Sequence, residues 1–403
     1  MTPPRVLLVI NGLDFGGTES NVAQLARGLL AAGVAVEILC LKPIARIGLQ
    51  LREEGVPVHS LNMGEKVGMA SMAEGSWALW RWLRDRKFEV IHSFLPRANV
   101  MSRIAKRLSG LGCLHFSNEE STDLQRSLAV SILNRLTLSL TDRVLAVSEA
   151  VRDILVRRDR IPRDRIDVLT YGIDLAQVDV TPPASIRKDL GIPRDAPLLC
   201  SVGRLVVDKG HVYAVRALAG VGDVEPGAWL LIVGEGPEEG RLREEVRHLG
   251  LRQRVVFLGF QTAVLGLLKA CDVFVLPSLE EGLPVTVVEA MACGLPVIAS
   301  DVGGIRSLVV SGESGLLVPP AEHWRAGGSA GPVQEAIGVR ALTAAIRDLA
   351  WSPDRRRAMG IQGRRWIESH FSFADTLARL RVLYGLAERN YPGQPAAPVE
   401  LRQ

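Results

Sequence analysis

The chain is poor in the features that mark secreted, membrane-spanning or nucleic-acid-binding proteins. Its five cysteines (Cys40, Cys113, Cys200, Cys271 and Cys293) are odd in number, and none forms a C-x-x-C pair. That spacing supports neither a disulfide framework nor a zinc site. Buried thiols in a reducing cytosol are the simple reading. No stretch reaches the roughly 18 apolar residues of a membrane span. The longest candidate, Ser127–Val147, is interrupted by Asn134, Arg135, Asp142 and Arg143. The apolar run within Met1–Ile10 is too short for a signal h-region. A net charge of +4 over 403 residues argues against a dedicated nucleic-acid binder. With 47% hydrophobic and 23% charged residues the chain is globular, and its length calls for two domains.

Short apolar runs alternate with helical patterns. Val6–Ile10, Val34–Leu39, Val90–Ser93 and Arg143–Val147 read as buried strands, with helices over Glu19–Ala32 and Val100–Leu108. The alternation weakens after Gly172. It resumes with strands at Leu198–Val202, Trp229–Val233, Val255–Leu258, Val273–Leu276 and Pro296–Ala299. Near-continuous apolar strands separated by helices predict parallel sheets covered on both faces. The fold class is therefore α/β, with two doubly wound Rossmann-like domains. Residues 1–178 form the first, 179–196 a proline-rich linker with one short helical piece, and 197–370 the second. A Gly/Ala/Pro-rich insertion is expected at 319–338, a long amphipathic helix over 371–390 and a disordered tail over 391–403.

Ligands of doubly wound sheets bind at the carboxyl ends of the strands. The first such loop ends in Gly16-Gly17-Thr18-Glu19. It is either a tight turn capped by Thr18 or a place where backbone N–H groups meet a ligand at a helix N-terminus. The loop after Leu198–Val202 carries Arg204 and Lys209 between Gly203 and Gly210, a pattern suited to a diphosphate. The alternative is two solvated surface cations. The loop after Val273–Leu276 carries Glu281, Gly282 and Pro284, with Glu289 eight residues beyond Glu281 on an apolar helix. Glu281 precedes that helix, and Glu289 is expected about two turns along it. A buried carboxylate needs a partner, and a ligand hydroxyl would serve Glu289. The alternative for Glu280-Glu281 is helix-start capping. Gly234-Glu235-Gly236-Pro237 is a poor dinucleotide fingerprint because its third glycine, Gly240, falls one residue late.

Taken in order, GGTE, VLAVSEAV, YGID, SVGRLVVDKG, LLIVGEGPEEGRL, RVVFLGF and PSLEEGLPVTVVEAMACGLPVIASDVGGIRSLV resemble the retaining nucleotide-sugar glycosyltransferases of family four, which have the GT-B fold. The resemblance runs from about Arg5 to Tyr384. It implies that Arg204 and Lys209 hold the donor diphosphate, and that Glu281 meets hydroxyls of the donor sugar beside the amides of Gly282, Leu283 and Val285. It further implies that Glu289 binds the ribose and that Gly17 brings an N–H to the phosphate from the opposite domain. The last helix is implied to cross back onto the first domain. No metal and no cofactor are implied, since the two cations would neutralise the departing diphosphate. Many members carry His-x-His after the strand matching Val90–His92, whereas here the second position is Phe94. His92 is then either a packed strand-end histidine or an acceptor-side group, with Arg97, Asn118 and Glu119 as other acceptor-side candidates.

The expected activity is transfer of a sugar from a nucleoside diphosphate to a glycan, lipid-linked or polysaccharide-precursor acceptor. A nucleotide-sugar epimerase is the alternative on the same fold. An NAD(P) oxidoreductase would need a G-x-G-x-x-G that Asn11–Gly17 lacks. Residues 1–170 hold 23 Lys+Arg against 18 Asp+Glu. With Trp77, Trp80 and Trp82 beside Arg81, Arg84, Arg86 and Lys87, this excess suggests peripheral contact with an anionic membrane by a cytoplasmic protein. The other reading has Trp77, Trp80 and Leu83 as the core face of a helix. No nucleic-acid partner is expected.

Overall fold

The computed structural model describes residues 3–64, 68–120, 128–222, 227–321 and 332–386. The first domain is built on seven strands: β1 (Arg5–Ile10), β2 (Ala35–Cys40), β3 (Val58–Ser60), β4 (Val90–Phe94), β5 (Leu114–Glu119), β6 (Arg143–Ala146) and β7 (Ile166–Val168). They pair in parallel in the order β3-β2-β1-β4-β5-β6-β7. The second sheet holds β8 (Leu198–Val202), β9 (Trp229–Val233), β10 (Val255–Gly259), β11 (Val273–Leu276), β12 (Val297–Ser300) and β13 (Gly315–Val318), in the order β10-β9-β8-β11-β12-β13. Central strands are buried on both faces, so their apolar residues run on without alternation: all five residues of β8 are buried.

In each sheet the strand order reverses beside the first strand, at β1/β4 and at β8/β11. Those are the positions where loops diverge and leave a crevice. The helix Gly17–Ala31 follows β1 and buries Val22, Leu25, Ala26 and Leu29 at helical spacing. Glu281, Glu289 and the loop after β8 stand at the equivalent edge of the second sheet.

Several boundaries differ from those predicted. The short edge strands β3, β7 and β13 have three or four residues each, too few for a periodicity to register. The 179–196 linker adjoins two short helices, Leu175–Val180 and Ile186–Asp189, where one was expected. The insertion expected at 319–338 is partly helical. Among the described residues it is helical from Pro332, in the helix Pro332–Ala350. Residues 322–331 lie outside the described residues. The last helix is shorter than the predicted 371–390 and spans Phe373–Leu383. It ends at Tyr384 and Gly385, the latter in the left-handed region at φ +67°. Residues 387–403, including the tail, are outside the described set.

That last helix does cross back. Ile173 bridges Ser372 in parallel, and Thr376 Oγ1 accepts from the Gly172 N–H at 3.0 Å. Leu380, Tyr384 and Leu386 belong to the same core as β1 and β4. A Cβ on Gly28 would meet the Phe373 ring at 2.6 Å, so the helix Gly17–Ala31 must be bare there for Phe373 to seat.

The helix Met69–Leu83 buries Met72, Gly75, Ser76, Leu79 and Leu83. Trp77 is not on that face: it is 56% exposed, and its ring meets that of Trp80 at a tilt with centroids 4.3 Å apart. Among the described residues no helix is long and apolar enough to cross a membrane.

Candidate active site

A cleft of about 1290 Å³ separates the two sheets and is lined from both domains. On the second-domain side, Gly210 lets two loops meet. Its φ is +65°, and a Cβ would lie 2.0 Å from the carbonyl oxygen of Pro277. Leu279 N–H donates to Asp208 O at 2.8 Å, tying the loop after β8 to the loop after β11. The result brings Lys209 and Glu281 together, with Nζ 2.6 Å from Oε1. Ser278 Oγ donates to the same oxygen at 2.8 Å. Glu281 is only 6% exposed, so its charge is compensated by an ammonium and a hydroxyl inside the turn.

Arg204 stands differently. It is exposed, and its guanidinium has no hydrogen bond or ion pair among the described residues. The glycines of Gly234-Glu235-Gly236 serve packing: a Cβ on Gly234 would lie 2.0 Å from Gly203 O, and one on Gly236 would lie 2.3 Å from Leu205 O. They buttress the loop that presents Arg204.

Glu289 sits on the helix Val285–Ala292, one turn inside it and not two as expected, because Gly282–Pro284 still belong to the turn. It lines the cleft, half-buried, and its carboxylate has no hydrogen-bond partner among the described residues. Burial pushes its carboxyl up to about 7.

The first domain closes the cleft with Gly17. A Cβ there would lie 3.2 Å from the Val285 side chain, so backbone and helix start meet across the domain boundary. Gly282, Leu283 and Val285 also line the cleft. Ser148 Oγ donates to Gly282 O at 2.8 Å, a hydrogen bond between domains. At the rim, the Phe15 and Phe260 rings meet at 5.4 Å, and Arg46 pairs with Glu235 at 3.2 Å.

The acceptor-side candidates His92, Arg97, Asn118 and Glu119 do not line this cleft. His92 is fully buried on β4, stacked on Phe94, with Nδ1 2.6 Å from Tyr384 Oη. Burial pushes its pKa down to about 3, so the ring is neutral. Arg97 donates to Gly64 O at 3.2 Å. Glu119 accepts from Asn99 Nδ2 at 3.0 Å. Asn118 lies one layer down and donates to Glu120 Oε1 at 2.7 Å. Glu120 is the residue of that strand end that does reach the cleft. The rule that ligands meet strand ends pointed to this loop, but Asn118 and Glu119 still belong to β5, and the loop begins at Glu120.

Two doubly wound domains with a ligand cleft at the carboxyl ends of both sheets define the GT-B class of fold. Residues 16–172 match the family described as glycosyl transferase 4-like domain, and residues 184–326 match glycosyl transferases group 1. The chain is 33% identical to the 2-deoxystreptamine N-acetyl-D-glucosaminyltransferase of Streptomyces fradiae, over 85% of this chain and 84% of that protein. It is 28% identical to the UDP-Gal:alpha-D-GlcNAc-diphosphoundecaprenol alpha-1,3-galactosyltransferase of Escherichia coli, covering 60% of this chain and 65% of that one. Its fold superimposes on Anabaena HepE in complex with UDP and glucose with a TM-score of 0.77 at 19% identity, covering 94% and 99% of the two chains. The chain belongs to the group 1 glycosyltransferases.

Proposed function

We propose that this protein transfers a sugar from a nucleoside-diphosphate donor to a hydroxyl of a glycan, lipid-linked or polysaccharide-precursor acceptor, with retention at the anomeric carbon and without a metal ion. The observation that carries this reading is the arrangement of charges in one cleft. Arg204 has no hydrogen bond or ion pair and Glu289 no hydrogen-bond partner among the described residues, while Lys209 and Glu281 form a preset pair. A diphosphate satisfies Arg204, and a ribose hydroxyl Glu289. As the anomeric C–O bond breaks, negative charge grows on the leaving phosphate oxygen, where Arg204 and Lys209 stabilise it. The acceptor oxygen then bonds to the anomeric carbon from the same face, and its proton passes to the departing phosphate. Glu281 supports the positive character of the sugar. The amides of Gly17 and of the turn from Gly282 to Val285 complete the donor site.

The test is a panel of UDP-, GDP- and ADP-sugars in thermal-shift format, followed by transfer assays with 2-deoxystreptamine and with diphosphoundecaprenol-linked N-acetylglucosamine. Donor conversion to an epimer without any acceptor would favour the epimerase. Stabilisation by no nucleotide would remove the reading.

Peripheral contact with an anionic cytoplasmic membrane face is part of the same proposal. The exposed Trp77 and Met69 on the helix Met69–Leu83, followed by Arg81 and Arg84, support it. Co-sedimentation should favour anionic over neutral vesicles and weaken with salt. Equal recovery with both kinds of vesicle would end it.

A further inference from the structure

Glu120 was not singled out by the sequence, and the donor site described above does not use it. It follows β5 and comes from the first domain, yet it abuts the donor turn of the second. A Cβ on Gly282 would lie 1.9 Å from Glu120 O. Its carboxyl is held from two sides: Thr18 Oγ1 donates to Oε2 at 2.5 Å, and Asn118 Nδ2 donates to Oε1 at 2.7 Å. Asn118 meets Oε1 through its amide nitrogen, which donates and cannot accept, while its amide oxygen accepts from Tyr171 Oη at 3.2 Å. Two hydrogen bonds thus hold the carboxyl, and Glu120 lines the same cleft as Lys209 and Glu281.

We propose that Glu120 is the acceptor-contacting residue of the first domain, its carboxyl O–H hydrogen-bonding the acceptor beside the Glu281–Gly282 turn. The inference rests on the glycosyltransferase reading and adds to it the group that orients the acceptor.

The chemistry of the site supports a neutral carboxyl. Burial pushes Glu120 up to about 8, and the neighbouring Glu19 and Glu119 add to the rise against the opposing bonds from Thr18 and Asn118. The groups facing it are Thr18 and Glu19 from the helix Gly17–Ala31, Asn118 and Glu119 from β5, Tyr171 after β7, and the 281–282 turn. No cation among them compensates a charge, and Arg204 acts on Glu19. A glutamine would hold Thr18 equally well without the desolvation cost. A carboxylic acid at this position offers an O–H donor at neutral pH and loses it above its pKa.

The experiment uses the full chain, wild type and with Glu120→Ala or Glu120→Gln. Nucleoside-diphosphate affinity is measured by calorimetry with UDP, GDP and ADP. Transfer is followed from pH 6 to 9.5 with the two acceptors named above. Glu120→Ala should lower kcat/KM for the acceptor by roughly tenfold or more while leaving nucleotide affinity within about twofold. Wild-type transfer should fall above pH about 8. Glu120→Gln, whose amide N–H stands in for the O–H, should keep most activity and lack that alkaline fall. Unchanged acceptor kinetics in Glu120→Ala, or the same alkaline fall in Glu120→Gln, would overturn the proposal. So would a loss of nucleotide affinity matching the loss of transfer. Should the alanine variant fail to fold, the pH profile of the glutamine variant decides alone. Wild-type protein that binds no nucleotide and transfers to neither acceptor would sink the glycosyltransferase reading itself, and this proposal with it.

Discussion

Lys209 and Glu281, seventy-two residues apart in sequence, meet at 2.6 Å in the floor of the cleft, and Ser278 donates to the same carboxylate oxygen. The pair means that Lys209 has two functions: it is a candidate phosphate ligand and it neutralises a shielded acid. Lys209→Ala should therefore cost more than Arg204→Ala. Both should weaken nucleoside-diphosphate binding, roughly ten- to hundredfold at 1.5–3 kcal/mol per charge-assisted bond. Only Lys209→Ala should also lower the melting temperature, because Glu281 is left buried without its cation. Calorimetry and thermal unfolding on the two variants separate these effects. Unchanged nucleotide affinity in both would remove the diphosphate assignment.

Glu281 and Glu289 should divide the donor between them. Glu281→Gln should lower turnover by about tenfold or more, on the scale of 1.4 kcal/mol per decade, with little change in free nucleoside-diphosphate affinity. Glu289→Ala should weaken the nucleotide itself. The reverse pattern would exchange their roles.

Stability should depend on pH through the raised carboxyls. Glu289 has its native pKa pushed up to about 7 and Glu120 to about 8, both above the ordinary value of 4.5. The folded protein then binds protons that the unfolded chain has released. The stabilisation is complete below pH 4.5 and is lost as pH rises through 7 and 8. The buried, neutral histidines His92, His115 and His211 act in the opposite sense below pH 6.5, so melting temperature should fall from about pH 6.5 to pH 9. Glu289→Gln should flatten the part of that fall below about pH 7. A wild-type melting temperature flat across that range would contradict it.

Tyr384→Phe should destabilise without touching the donor site. It removes the hydroxyl that meets His92 Nδ1 and leaves that buried nitrogen without it, at about 1–3 kcal/mol. Nucleotide affinity should stay at the wild-type value. A variant with normal stability but impaired acceptor kinetics would move His92 back to the acceptor side.

Gly282→Ala tests the contact between domains. Its Cβ would sit 1.9 Å from Glu120 O, which no side-chain adjustment can relieve. Transfer should be nearly abolished while each domain keeps its secondary structure by circular dichroism. Near-normal turnover would show that the domains work further apart than the structure holds them.

Much of this was legible in the sequence because the second domain announces itself locally. Leu198–Val202, Trp229–Val233 and Val273–Leu276 are short apolar runs that the structure makes β8, β9 and β11 without a shifted end. The Arg204, Lys209, Glu281 and Glu289 positions follow from the loops after them. The first domain was less readable. Glu120 and Thr18 gain their meaning from a hydrogen bond across 102 residues, which no local pattern records. Trp77 shares the helical spacing of core residues, yet the neighbouring helix Pro96–Ser109 covers a face set by Met72, Leu79 and Leu83. The start of the helix Pro332–Ala350 was hidden by Gly and Pro around it, which signal a break without saying on which side the helix begins.

The helix Phe373–Leu383 has a consequence for biosynthesis. Leu380, Tyr384 and Leu386 fill the core of a domain whose strands were translated more than two hundred residues earlier. A nascent first domain leaving the ribosome must wait, with the site for these side chains uncovered, until the whole second domain has been made. Synthesis at about 5–20 residues per second makes that interval at least ten seconds. The order of the chain thus turns the second domain into a delay, during which the first depends on its own sheet and on whatever shields the open groove from aggregation.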